Sequence, residues 1–239
     1  MNLLTVGSGS SGNCHLLRTN NQVLILDAGV RIKEINKAIG YDLEPVQGAI
    51  VTHDHMDHIK AVSDLKLMGI PVFAPYAEEK PKRVFLGDFT VKSIPMRNNG
   101  KWLHTNGDGS ECPVCGFLVH AEHKNILYLS DFMYCPYKFQ SYHLQTMIIG
   151  CNYEDDMTID NSAKNFHVRL GHASLSTVKD FIDVNKTDDL QHIVLCHISQ
   201  SADAIRMVEE IKEVAGAGVT VNIAEKGKAI TLGDDESNY

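Results

Sequence analysis

Residues 49–58 read Ala-Ile-Val-Thr-His-Asp-His-Met-Asp-His, an apolar run that empties directly into three imidazoles and two carboxylates. An uncharged run of this kind suits a buried strand, and one that ends in five potential ligands points to a metal site. In extended backbone alternate residues share a side, so His53 and His55 can converge on one ion. Asp57 and His58 open the amphipathic stretch Ile59, Val62, Leu65, where a helix can turn them toward a second ion. The competing reading is a His-rich surface loop, but solvated loops seldom follow a buried strand in this way.

The chain has 239 residues, 44% of them hydrophobic, with no long charge run or low-complexity block, and so reads as one domain over 1–239. No stretch approaches the roughly eighteen apolar residues of a membrane span, and Met1-Asn2-Leu3-Leu4 lacks a signal-peptide flank. A cytoplasmic protein without a membrane partner is expected. Six scattered cysteines, Cys14, Cys112, Cys115, Cys135, Cys151 and Cys196, suit reduced thiols. The formal charge of -8 argues against indiscriminate nucleic-acid binding but leaves room for a local basic groove. Lys80, Lys82, Arg83, Arg97 and Lys101 are candidates for such a rim, or else ordinary solvated charge.

Strand-like runs at 3–6, 14–17 and 23–26 form a meander with a turn at Thr19-Asn20-Asn21, followed by a helix over 31–39 that stops at Gly40. Further strands are expected at 49–52, 71–74, 89–91, 117–119, 126–129, 147–149, 193–196, 219–223 and 229–232. Helices are expected from the metal loop to about Met68, over 175–184 and over 202–215, and a frayed tail from Gly233. Two packed sheets among antiparallel hairpins, with helices on their outer faces, fit this order better than one doubly wound sheet.

Gly7-Ser8-Gly9-Ser10-Ser11-Gly12 formally satisfies G-x-G-x-x-G, with Asp27 about twenty residues on, as a dinucleotide site requires. A crossover helix cannot fit between Gly12 and Val23, so no dinucleotide cofactor is expected. The loop suits close backbone approach to a ligand, or a plain Gly-Ser turn. Strand-end position ranks the remaining candidates. Asp131 follows the run 126–130 and could bridge two metals, His197 follows 193–196, and His104 suits a third imidazole for the first ion. His120, His123, His143 and His192 read as surface or structural, His15 as a strand residue near the core, and Asp54 as a group ordering the ligand histidines. Cys112-Pro113-Val114-Cys115 reads as a free pair in a mobile loop, or a local metal clamp.

Thr52 to His58 is the H-x-H-x-D-H signature of the metallo-β-lactamase superfamily, and His104, Asp131 and His197 fall in the order of its later ligands. Within it the chain resembles the YycJ/WalJ-type group, distant relatives of the RNase J nucleases, through 7–14 (GSGSSGNC), 151–154 (CNYE), 171–174 (GHAS) and 195–199 (LCHIS). The resemblance implies a four-layer αββα sandwich and two divalent ions, zinc or manganese with iron also possible. One ion would be held by His53, His55 and His104, the other by Asp57, His58 and His197, with Asp131 bridging. It further implies a phosphodiesterase that activates a shared water for attack on nucleic-acid ends, with His172 binding phosphate or protonating the leaving oxygen. Ser10 and Asn152 are substrate-binding candidates, Gly171 and Ser174 also suiting a capped helix start. The segment after His104 departs from the pattern: Thr105 replaces the usual Asp, and 106–115 is longer. Rival expectations are a hydrolase of a cyclic nucleotide or thioester, a di-iron oxidoreductase, and a metal-bound scaffold without turnover. The di-iron chemistry usually replaces His55 with Glu and adds a flavin domain.

Overall fold

The computed structural model describes residues 1–156 and 171–233; the expected tail beyond Gly233 lies outside them. Strands β1 (Asn2–Gly7), β2 (Cys14–Arg18), β3 (Val23–Leu26), β4 (Val46–Ile50), β5 (Val72–Phe73) and β15 (Ala229–Thr231) build a six-stranded sheet in the order β15-β1-β2-β3-β4-β5. A seven-stranded sheet, β14-β13-β12-β11-β10-β7-β6, uses β6 (Arg83–Leu86), β7 (Phe89–Pro95), β10 (Cys115–Ala121), β11 (Lys124–Leu129), β12 (Thr146–Gly150), β13 (His192–Cys196) and β14 (Thr220–Ile223). A small ribbon pairs β8 (Arg97–Asn98) with β9 (Lys101–Trp102).

Side-chain alternation turns these sheets into four layers. In β3, Leu24 and Leu26 face an inner core with Ile126 and Tyr128, while Val23 and Ile25 face outward onto Ile35 and Leu65. In β11, Leu127 and Leu129 point instead to an outer core with Val178, Ile182, Met207 and Ile211. The helices are α1 (Ile32–Ala38), α2 (Met56–Ile59) and α3 (Val62–Leu67) on one side, and α4 (Leu175–Asn185) and α5 (Ala204–Ala215) on the other. The result is the four-layer αββα sandwich that the resemblance implies. Ser174 caps α4 by accepting from Thr177 N at 3.3 Å, and Asp203 caps α5 by accepting from Ile205 and Arg206 N. Each cap contributes about 1 kcal/mol. Among the described residues no helix is long and apolar enough to cross a membrane.

Two features differ from the sequence reading and bear on the site. Pairing is antiparallel through β15-β1-β2-β3 but parallel through β3-β4-β5, and parallel again through β11-β12-β13-β14. The parallel halves deliver several strand ends to one edge. The helix expected to run unbroken to Met68 stops at Ile59 and restarts at Val62. Its backbone is diverted there: Ala28 N donates to His58 O and Ala61 N to Ala28 O, both at 2.8 Å. That detour pins α2 to the segment after β3.

Candidate metal centre

Six chain segments reach the shared edge. β4 leads into His53 and His55, and α2 carries Asp57 and His58. β11 is followed by Ser130 and Asp131, and β13 by His197. His104 follows the β8–β9 ribbon, and His172 precedes the cap of α4. Four triads have ligand atoms within 4.8 Å of one another: His53, His55 and His104; His53, His58 and Asp131; Asp57, His58 and His197; and Asp131, His172 and His197. Asp131 sits between them, its Oδ2 3.9 Å from His53 Nε2, 3.5 Å from His58 Nε2 and 3.6 Å from His172 Nδ1, and its Oδ1 3.1 Å from His197 Nδ1.

The outward nitrogens are tied down in a way that leaves the inward ones as lone pairs. Thr52 Oγ1 gives its proton to Asp27 Oδ2 (3.0 Å) and so accepts from His53 Nδ1 (3.1 Å). His58 Nδ1 donates to Asp27 Oδ2 at 2.9 Å, and His104 Nδ1 to the Gly171 carbonyl at 2.6 Å. Asn106 donates its amide to Ser110 Oγ, which leaves its Oδ1 to accept from His55 Nε2 at 2.9 Å. His55 Nδ1 and His104 Nε2 then face each other at 3.2 Å, both without a proton. Two lone pairs at that distance repel unless a cation sits between them. His53 Nε2 is buried with no hydrogen-bond partner among the described residues, which an ion would also satisfy. The donor set therefore fits metal, and imidazole with carboxylate suits zinc, manganese or iron.

Electrostatics point the same way. Burial, with His58 and His104 nearby, pushes His53 well below its ordinary value, and burial takes His104 down to about 4, so these rings stay neutral. Burial opposes charge on His58 too, but Asp131 and Asp27 raise it well above normal. Burial would raise Asp131, yet His197, His58 and His172 hold it well below the carboxylate range. A potential that draws a proton to His58 draws a divalent cation to the same place.

Residues to which the sequence reading gave no part in the metal site complete the wall. Asp27, fully buried, accepts from Thr52 N (2.8 Å), Thr52 Oγ1, His58 Nδ1 and Tyr128 OH (2.6 Å). Its strand-end position after β3 is the signal that singled out Asp131 and His197. Asn13 donates to His58 Nε2 at 2.9 Å while its Oδ1 accepts from Gly9 N. His197 adopts a left-handed backbone, φ 53°, and both its peptide groups are clamped: N donates to Ser8 Oγ at 3.0 Å, and O accepts from Asn152 Nδ2 at 2.8 Å.

Ser10 is exposed on the loop, and Ser8 is the serine that reaches the cluster. Asn152 is committed to His197. Asp54 does not order the histidines; it is exposed and accepts from Cys112 Sγ at 3.6 Å, the ordering falling to Thr52, Asp27 and Asn106. Cys112 and Cys115 are buried free thiols rather than a mobile pair, since Cys115 begins β10 and Cys112 N is bonded to His104 O. In the basic rim, Lys82 pairs with Glu78 and Arg97 with Glu79. His15 is fully buried, His120, His123 and His143 are exposed, and His192 bonds Thr220.

Fold and site together define the class: a metal-dependent hydrolase with the metallo-β-lactamase fold. The profile of the Metallo-beta-lactamase superfamily matches residues 7–105. The chain is similar to the YycJ/WalJ-type group, being 27% identical to the exodeoxyribonuclease YycJ of Bacillus anthracis over 93% of this chain and 89% of that protein. Among solved structures, the metallo-beta-lactamase fold protein YhfI of Bacillus subtilis superimposes with a TM-score of 0.66 at 17% identity, covering 96% of this chain and 98% of that one. The short form of human tRNase Z gives 0.61 at 14%, covering 98% and 100%.

Proposed function

We propose that the chain is a dinuclear phosphodiesterase that cuts nucleic-acid ends. The observation that carries this reading is a pair of ligand triads, His53-His55-His104 and Asp57-His58-His197, with the Asp131 carboxylate reaching His53 of the first and His58 and His197 of the second. His53, His55 and His104 would hold one ion, Asp57, His58 and His197 the other, with Asp131 common to both. Such a pair supplies a nucleophile from water near neutral pH and charge to offset the oxygens of the transition state. The chain's own groups do the rest. Asp27 and Thr52 fix the tautomers of His58 and His53, and Ser8 and Asn152 hold His197 in place. His172, stacked on His197 at 4.9 Å, stands beside Asp131 with its side chain 12% exposed, where it can contact a phosphoryl oxygen or protonate the leaving oxygen. Exposed Ser10 is left to meet the substrate. Similarity to an exodeoxyribonuclease supports the polymer substrate, and six unbridged cysteines support a reducing, cytoplasmic setting.

The test is an activity panel with zinc or manganese: a 5′-phosphorylated oligonucleotide, a cyclic nucleotide and a thioester. Shortening of the oligonucleotide from an end is expected. Rapid turnover of the cyclic nucleotide or thioester with an intact oligonucleotide would replace this reading with a small-substrate one.

A further inference from the structure

A cavity of about 530 Å³ opens beside the metal centre between the Gly-Ser loop and α1. Gly7, Ser8, Ser11 and Gly12 line one side; Arg31, Lys33, Lys60 and Lys226 line the other, with Glu34 as the acidic group. In a chain with 22 basic and 30 acidic residues this concentration of positive charge is out of proportion. Lys226 is paired with Glu34, whereas Arg31, Lys33 and Lys60 are exposed and in no ion pair among the described residues. Ser8 is common to the cavity and the metal centre, where it accepts from His197 N, and Lys60 lies two residues beyond His58. A second hollow, sharing Glu34 and Lys226, carries the surface on to Lys37.

We propose that this groove binds the body of a single-stranded nucleic acid whose end lies in the metal centre, which rests on the phosphodiesterase reading above. Its chemistry selects the backbone over the bases. No aromatic ring lines the cavity, so stacking is not offered, while three unpaired cations face a strand that carries one negative charge per nucleotide. Binding is then indifferent to sequence and favours strands long enough to reach from the metals to Lys33. The side that the sequence suggested is weaker, because Lys82 and Arg97 are already paired with acids.

Anisotropy of labelled 5′-phosphorylated strands, about 4 and about 16 nucleotides long, tests this against salt. Each phosphate contact contributes about 0.7 to the log–log salt slope for single strands, so the triple variant Arg31→Gln, Lys33→Gln, Lys60→Gln should bind the long strand with a slope lower by about 2. Its affinity for the long strand should fall toward that for the short one. Restoring charge with Arg31→Lys, Lys33→Arg, Lys60→Arg should restore both, and Lys80→Gln, Lys82→Gln, Arg83→Gln should change neither. A triple variant with the wild-type slope, or loss of slope in the Lys80 set instead, overturns the groove while leaving the phosphodiesterase reading intact. Failure of the wild type to bind either strand overturns both.

Discussion

Asp27 offers the sharpest perturbation because one carboxylate sets the tautomer of His58 and holds three further donors. In Asp27→Asn the shape survives, but one oxygen becomes an amide with protons of its own. If the remaining oxygen keeps Thr52, the amide faces His58 Nδ1, and two donors cannot meet at 2.9 Å. His58 must then carry its proton on Nε2, the nitrogen aimed at Asp131. Loss of such an outer partner lowers metal affinity about 10- to 100-fold, or roughly 1.4 to 2.8 kcal/mol. Asp27→Ala goes further, since Thr52 N, His58 Nδ1 and Tyr128 OH lose a buried acceptor at about 1 to 3 kcal/mol each. Metal titration by calorimetry, with thermal melts in chelator, separates the two variants. The Asn variant should fold and bind metal weakly, while the Ala variant should melt far lower. Wild-type metal affinity in a folded Asn variant would refute the tautomer argument.

Asn152→Ala should reduce turnover and metal occupancy at the His197 site by releasing a strained backbone, measured as metal content per chain; full occupancy would make Asn152 dispensable. Gly29→Ala should cost about 1 to 3 kcal/mol and loosen the site, because a Cβ there collides with the Asp57 carbonyl and meets Asn13 N at 2.8 Å; chemical denaturation checks it. For pH, burial lowers His15 from 6.5 to about 4, so the unfolded chain binds a proton that the folded one refuses between those values. Its contribution is therefore complete above pH 6.5 and declines as pH falls toward 4, by about 3 kcal/mol over that window. His15→Leu should flatten that part of the stability profile in metal-free protein; an unchanged slope would put the acid sensitivity elsewhere.

The run 53–58 at the centre of the cluster was legible because its imidazoles and carboxylates are contiguous and follow an apolar strand, a local pattern. The same strand-end logic picked out Asp131 and His197, which the structure brings to the cluster. Asp27 obeys it too, but its distance from Gly7 invited comparison with a ribose-binding acid, and its true partners, His58 and Tyr128, are 31 and 101 positions away. Which loop serine points inward depends on the positive φ values of Gly9 and Gly12, so Ser8 and Ser10 could not be told apart. Periodicity is blind to pairing direction, which hid the parallel halves of both sheets. It also passed over β6, an edge strand with Arg83 and Phe85 exposed, and the break before Val62, where Ala28 bonds both His58 and Ala61.

Metal counting on wild type and Asp131→Ala, by plasma mass spectrometry after dialysis, bears most directly on the shared-carboxylate site. Two divalent ions per wild-type chain are expected, and fewer in the variant with its fold retained. A wild-type protein that keeps no metal, or an Asp131→Ala variant that keeps both ions, would contradict the account.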